Sequence, residues 1–224
     1  MTKTEAAMKH MEDKQYEKAA ELFGEIIEEQ PNNPVGYINF GNLLTHIKDY
    51  ERACLFYEKA IELDPRAGTA YYGVGTVHYA QEQYGDARQM FQQAMTCGLE
   101  EGDVYYMMGM TFYKENQSKL AIPYFMRATE LLPEDLTIFF QYGLALAQNQ
   151  FITEAKVIFE RVLELEPTHS DAHYNLGVID MYYEHFEAAR NHFNMALSNQ
   201  PDHVLAANGK QKADACLNSV GKDK

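Results

Sequence analysis

The sequence predicts an all-α solenoid of six helical hairpins closed by one further helix, and three observations predict it. Glycines stand at Gly41, Gly75, Gly109, Gly143 and Gly177, each 34 residues after the last. Ala19, Ala53, Ala87, Ala121, Ala155 and Ala189 keep the same step, as do Phe23, Tyr57, Phe91, Phe125, Phe159 and Phe193. Prolines recur at Pro31, Pro65, Pro133, Pro167 and Pro201, with Leu99 filling the one gap. Several columns with one period and no insertion are the mark of stacked repeats, each burying its apolar face only against its neighbours.

The elements follow in order. The first repeat spans 1–33, and Thr2-x-x-Glu5 reads as a capping box opening its first helix. In the second, 34–67, Tyr37, Phe40, Gly41 and Leu44 fall at i, i+3, i+4 and i+7, one face of a helix. A break at Lys48-Asp49-Tyr50 follows, then Ala53, Tyr57 and Ala60 mark a second helix that stops at Asp64-Pro65. The same pattern gives repeats at 68–101, 102–135, 136–169 and 170–203. In the fourth, Ser118 replaces the turn aromatic of Tyr16, Tyr50, Tyr84 and Phe186, and Pro123 stands early enough in its helix for the missing N–H to be largely harmless. Past Pro201, Asp202 is positioned to cap a closing helix of about 204–217. Its stripe Leu205, Ala213, Cys216 and Leu217 is expected to cover the sixth repeat, with Lys210 and Lys212 in solvent. A single domain of 1–217 results, with 218–224 a frayed tail.

The chain has 224 residues, of which 46% are hydrophobic, enough to offset chain entropy and exclude disorder throughout. Nineteen Lys and Arg stand against 33 Asp and Glu, a net charge of −14. That load disfavours nucleic acid and anionic membrane surfaces, both of which call for basic residues. Cys54, Cys97 and Cys216 are odd in number and far apart, so neither a disulfide framework nor a zinc spacing can be built, and a reducing cytoplasm is expected. The opening residues lack an apolar signal core, and no uncharged stretch approaches the roughly 18 residues of a membrane span.

Tyr71-x2-Val74-Gly75-x2-His78, then Ala87-x3-Phe91, then the proline column, resembles the tetratricopeptide (TPR) repeat over nearly the whole chain. The aromatic opening position holds Tyr37, Tyr71, Tyr105, Phe139 and His173, and no repeat has Trp. The resemblance implies a right-handed superhelix with the first helix of each repeat on the concave face, and a role in protein–protein interaction.

No catalytic constellation is present: no P-loop, no GxGxxG, no GxSxG and no HExxH. An enzyme is not expected, nor a cofactor. His169 and His173 share a helical face, but no third ligand is spaced to join them, so solvated or packing roles are expected. Asp180 stands where other repeats have Leu44, Phe112 and Leu146, and is expected to lie open to water at an end repeat. A partly buried carboxylate with a raised pKa is the sharper alternative, which would make His169, His173 and Asp180 a cryptic site.

The informative residues are those of the first helices that the core stripe leaves over. In the fourth repeat the core stripe is Tyr105, Met108, Gly109 and Phe112. A second stripe of Tyr106, Met110 and Tyr113, beside Met107, makes this helix apolar almost all round from Val104 to Tyr113, and Lys114 follows on the groove side. Matching positions give Ile38, Asn39 and Asn42 in the second repeat and Tyr72, Thr76 and Tyr79 in the third. They give Phe140, Gln141 and Leu144 in the fifth, and Tyr174, Asn175, Val178, Met181 and Tyr182 in the sixth. On the concave face implied by the resemblance, these form an aromatic, Met-containing groove for a peptide or helix of a partner protein. Asn39, Asn42, Gln141 and Asn175 are expected to bond an extended backbone. The alternative is that the side chains fill the inside of a tightly wound superhelix.

One TPR subclass grips a C-terminal carboxylate with paired cations. Here the matching positions offer Lys114 alone, beside Glu12, His46, Ala80, Gln148 and Tyr182, which argues against such a clamp. Glu5, Asp103 and Asp171 instead favour a neutral-to-basic partner. The charge runs at Glu25–Glu29 and Glu160–Glu166 read as solvated faces. A cytoplasmic adaptor or scaffold is the expected function, and a self-assembling module the alternative.

Overall fold

Each 34-residue step folds into two helices joined by a tight turn. The structure is a computed structural model that describes residues 1–220; of the tail expected at 218–224, residues 221–224 lie outside the described residues and 218–220 are helical. Among those there are thirteen helices and no strand. Contacts divide the chain into two units, Met1–Asn116 and Gln117 onward.

The first unit holds α1 (Lys3–Glu12), α2 (Tyr16–Glu29), α3 (Pro34–His46), α4 (Tyr50–Leu63), α5 (Gly68–Ala80), α6 (Tyr84–Thr96) and α7 (Gly102–Lys114). The capping box forms: the Glu5 amide donates to Thr2 Oγ1 at 3.1 Å, and the Thr2 amide donates to Glu5 Oε2 at 2.8 Å. The alanine and aromatic columns are the core, with Ala19, Phe23, Ala53, Ala87 and Phe91 fully buried and Tyr57 1% exposed. Burying a side chain of this size contributes about 2–3 kcal/mol. The glycine column makes room for it: the Tyr57 ring lies against the bare Cα atoms of Gly41 and Gly73, and the Phe91 ring against Gly75.

The second unit holds α8 (Ser118–Leu131), α9 (Leu136–Gln148), α10 (Ile152–Leu165), α11 (Ser170–Tyr182), α12 (Phe186–Asn199) and α13 (Val204–Val220). Its columns behave alike: Phe159 lies on Gly143, and Phe193 lies between Gly177 and Gly209.

The turns at Lys14, Lys48, Glu82, Gln150 and Glu184 are Schellman turns with these residues in the left-handed position, and Asn116 takes a positive φ as well. At the second of them, Lys48 N–H bonds Thr45 O and Asp49 N–H bonds Leu44 O. The second helices that precede a column proline all stop two residues before it. Where Leu99 replaces proline, Gly98 takes a φ of +91° and ends α6 instead, one residue early.

The structure adds detail at Pro123 and departs from expectation in α13. Pro123 is the sixth residue of α8, and the helix runs through it unbroken from Ser118 to Leu131, although the Lys119 carbonyl loses its helical donor there. Both Lys119 and Pro123 are exposed. Helix α13 continues to Val220, beyond the expected end at 217, and His203 rather than Asp202 caps it, its Nδ1 accepting from the Ala206 amide at 3.2 Å. That register buries Ala206 and leaves Leu205 57% exposed. Ser118, in place of the turn aromatic, accepts at its Oγ from Asn149 Nδ2 at 2.9 Å.

Candidate functional site: the first-helix faces

In the first unit the leftover stripe divides between core and surface. Ile38 belongs to the core: at 8% exposure it packs with Tyr57, Ala53 and Val74, because a short aliphatic chain drops into the space that a ring spans elsewhere. Met110, 9% exposed, is also buried. Both depart from the groove reading. Tyr72, Tyr79, Tyr106, Met107 and Tyr113 are half-buried, and Lys114 is exposed. Tyr72 leans on the core ring of Phe91, centroids 5.6 Å apart, and Tyr79 meets Tyr84 edge-on at 5.5 Å. Burial raises the pKa of Tyr72, with Asp103 adding to it, and burial pushes Tyr79 up to about 12 with Tyr106 close by. Both phenols stay neutral at physiological pH.

The polar members are partly spent. Thr76 Oγ1 donates to the Tyr72 carbonyl at 2.9 Å. Asn42 is exposed, but its Oδ1 accepts from the Tyr57 hydroxyl at 2.7 Å. In the second unit, Asn175 Nδ2 donates to the Asp171 carbonyl at 2.7 Å. Asn39 and Gln141 are half-buried and make no side-chain hydrogen bond among the described residues.

The second unit brings more of the stripe together. Phe140 and Tyr174 repeat the geometry of Tyr72, leaning on Phe159 at 5.9 Å and Phe193 at 6.1 Å. Each also packs on the histidine that caps the next first helix, His169 of α11 at 4.8 Å and His203 of α13 at 5.2 Å. Leu144 is half-buried, while Val178 and Tyr182 are 43% and 68% exposed. Tyr174, Val178 and Met181 line an open cleft of about 350 Å³ with Leu205, Asn208 and Lys212 of α13. Leu205 and Lys212 were not expected there. The signal that would have found them is the 34-residue step itself, which places α13 in the register of a further first helix.

Of the acids expected to flank a groove, Glu5 is held in its capping box, and Asp171 Oδ1 lies 3.2 Å from His203 Nε2. Asp103 is exposed.

Asp180 is not open to water. It is 2% exposed, with Lys156 Nζ at 3.1 Å, His192 Nε2 at 3.7 Å and His185 Nδ1 at 4.0 Å. The pairing repeats an internal one: two repeats earlier, Arg88 lies over the Phe112 ring at 4.8 Å, and Lys156 and Asp180 occupy those positions. His169 and His173 do not act as a pair. His169 Nδ1 caps α11 through the Ala172 amide, while His173 meets His192, with 3.2 Å between their Nδ1 atoms. Burial lowers the pKa of His192 against the opposing pull of Asp180. His192 breaks an otherwise apolar column of Leu22, Phe56, Met90, Tyr124 and Ile158, a signal that comparing repeats would have shown. Among the described residues no group of three or more His, Cys, Asp or Glu is arranged to hold a metal ion, and no helix is long and apolar enough to cross a membrane.

Stacked helix pairs of this kind, with rings seated on glycines and a half-exposed stripe on each first helix, define an α-helical repeat protein. Models of the tetratricopeptide repeat match residues 36–66, 68–99, 102–135 and 145–213, and the chain belongs to that family. Its class is therefore the one the sequence predicts, an all-α TPR solenoid with a closing helix. None of the curated proteins matches the chain. Among solved structures it is similar to YrrB, a TPR protein with an unusual peptide-binding site, at 45% identity and a TM-score of 0.77, covering 86% of this chain and 99% of that one. PilF of Pseudomonas aeruginosa matches with a TM-score of 0.79 over 95% of each chain at 15% identity. A structure of MamA matches with a TM-score of 0.67 over 76% of this chain and 93% of that one at 18% identity. These two show the fold alone. Family membership supports a protein–protein interaction module, and TPR proteins are in general non-catalytic adaptors.

Proposed function

We propose that the protein is an adaptor or scaffold that holds a peptide or helix of a partner protein against its first-helix faces. The observation that carries this is the cleft between α11 and α13, where Tyr174, Val178 and Met181 of the expected groove meet the exposed Leu205. An open apolar cleft with a few polar groups on its rim suits the side chains of a bound segment. The 45% identity to YrrB, itself described by a peptide-binding site, supports the same reading. The net charge of −14 favours a neutral-to-basic partner, and Lys212 supplies one local contact for an acidic group. Three free cysteines support a reducing, cytoplasmic setting. The period runs without insertion from Gly41 to Gly177, which supports treating the six repeats as one functional domain.

The test is selection of displayed peptides on the immobilised protein, followed by titration of the winners. Val178→Ser with Leu205→Ser, both exposed positions, should weaken binding about tenfold or more while the melting temperature stays put. Unchanged binding would move the site off this cleft. A second reading, assembly of copies of this chain, is favoured by the 69% exposed Val204 beside Leu205 at the start of α13. Mass rising with concentration in light scattering would support it.

A further inference from the structure

The α11–α13 cleft has an internal counterpart at the α3–α5 junction of the first unit. Four steps of the repeat pair Phe193 with Tyr57, Val178 with Asn42, Met181 with Thr45 and Gly209 with Gly73. The glycines serve one purpose at both places, since the Phe193 ring lies against Gly209 and the Tyr57 ring against Gly73. The other three pairs differ. Tyr57 closes its junction from within, its hydroxyl lying 2.7 Å from Asn42 Oδ1 and 3.1 Å from Thr45 Oγ1. Phe193 has no hydroxyl, and Val178 and Met181 replace the two groups that would hold one.

The exchange is concerted, and it sets the character of the cleft. Losing the tyrosine hydroxyl alone would leave an amide and a second hydroxyl around a gap that water fills. Here all three polar groups are replaced, and Leu205 stands on the rim in register with Thr69. Asn208 and Lys212 of α13 are the polar members of a lining that encloses about 350 Å³. Val178 is 43% exposed and Leu205 57%. An apolar side chain from outside gains by displacing water from such walls. The register also indicates the shape of that side chain. Where Gly209 has none, other repeats carry Met107, Gln141 and Asn175, all unbranched at Cβ. Of these, Met107 alone matches apolar walls.

We propose that the partner segment seats one methionine or leucine side chain in the α11–α13 cleft, an assignment that rests on the peptide-binding role above. Val178, Met181, Leu205 and the Phe193 ring supply the apolar contacts. Methionine and leucine carry a single methylene at Cβ, as Met107 does, and spread their bulk further out, where the cleft is empty. Methionine also adapts to irregular gaps. Valine and isoleucine, branched at Cβ, put their bulk beside the peptide backbone instead.

The test is selection from a random peptide library on the full chain, followed by titration on Phe193→Tyr with Val178→Asn and Met181→Thr. That triple variant rebuilds the Tyr57 cluster inside the cleft. Selected peptides should share a methionine or leucine at one position and bind the triple variant about tenfold or more weakly. Its melting temperature should match the wild type, because the chain already carries this closure at Tyr57. Should the triple variant fail to fold, Phe193→Tyr alone puts the hydroxyl in the cleft and should weaken the same peptides severalfold. Serine in place of the shared residue should cost about tenfold, and exchange of methionine for leucine much less. A ring, a β-branched residue or a charge at the shared position overturns the proposal, as does equal binding to the wild type and the variant that closes the cleft. If such peptides are still lost in Val178→Ser with Leu205→Ser, the cleft remains the binding site and its preference alone is wrong. If they ignore that variant too, or if no peptide is selected, the peptide-binding role of the cleft falls with it.

Discussion

Tyr57 lies flat against Gly41: a methyl group added at Gly41 would sit 2.7 Å from Cε1 of the ring. The ring cannot step aside. It is 1% exposed, Gly73 closes its other face, and its hydroxyl is tied to Asn42 and Thr45. Gly41→Ala is therefore an overpacking change and should cost about 1–3 kcal/mol. Gly24 provides the control, since a methyl there meets nothing within 4 Å. Gly24→Ala should stabilise by about 0.5–1 kcal/mol, the ordinary helical gain. Denaturant midpoints moving in opposite directions would confirm the contrast, and a gain at both positions would refute it.

The left-handed turns offer the reverse kind of change. Glu82 holds a φ of +62°, where a side chain costs about 1–2 kcal/mol that glycine avoids. Part of the gain is lost to the greater freedom of glycine in the unfolded chain. Glu82→Gly should stabilise by about 0.5–1 kcal/mol net. Asn116, at +61°, is a residue type that tolerates this region, so Asn116→Gly should gain less. Thermal midpoints of the two variants give the order directly.

How far the sequence reveals the molecule depends on the distance over which a side chain's role is decided. Period, helix ends and the capping box are local, and they are legible in Pro31, Thr2 and Glu5. The roles of Ile38 and Tyr72 are not, although both occupy one register position, because side-chain length decides which reaches the surface. Asp180 looks like an exposed acid until Lys156, 24 residues away, is found beside it. By sequence spacing His173 belongs with His169, the N-cap of its own helix, yet its partner is His192 on the next. Such pairings arise where a repeat departs from its siblings, and comparing repeats locates the departure without naming the partner.

Alkaline pH should single out Tyr57. Burial raises its pKa to about 12, with the Thr45 hydrogen bond pulling the other way. Between pH 10 and 12 the unfolded phenol ionises while the folded one does not, so stability falls as pH rises through that window. At pH 11 the loss is about 1 kcal/mol, one pKa unit being worth about 1.4. Tyr57→Phe lacks this contribution, while Tyr72 and Tyr79 titrate in both proteins. The wild-type advantage over Tyr57→Phe, measured by denaturation, should shrink between pH 8 and pH 11. A constant difference would contradict the assignment.

The Lys156–Asp180 pair should respond unequally to losing either partner. Lys156→Met strands a carboxylate whose side chain is 3% exposed, with only two histidines at 3.7 and 4.0 Å nearby. Removing one partner of a buried pair costs about 3–5 kcal/mol, and the histidines reduce this to about 2–3. Asp180→Leu places the residue already found at Leu44 and Leu146, both buried, and leaves a lysine that is 34% exposed and can reach water. That variant should be neutral or slightly more stable. Equal losses in urea titrations would mean that the pair is not decided by burial of the carboxylate.

The last prediction concerns binding through the fourth repeat. Tyr106 and Tyr113 share one face of α7, both half-buried, beside a Met110 that is 9% exposed. Binding energy concentrates in a few aromatic anchors, each worth about 2 kcal/mol or more on truncation. Losing two, even without full additivity, weakens binding roughly a hundredfold or more, since about 1.4 kcal/mol is a factor of ten. Tyr106→Ala with Tyr113→Ala should therefore abolish binding of peptides selected on the wild type. If the two rings are instead packing elements, the same changes empty an interior and cost about 3–5 kcal/mol each. Measuring peptide affinity and melting temperature on one sample separates the cases. Lost affinity with an unchanged melt assigns the stripe to the partner. A melt lowered by many degrees assigns it to the core, and intact affinity with an intact melt removes α7 from the binding face and leaves the α11–α13 cleft as the site.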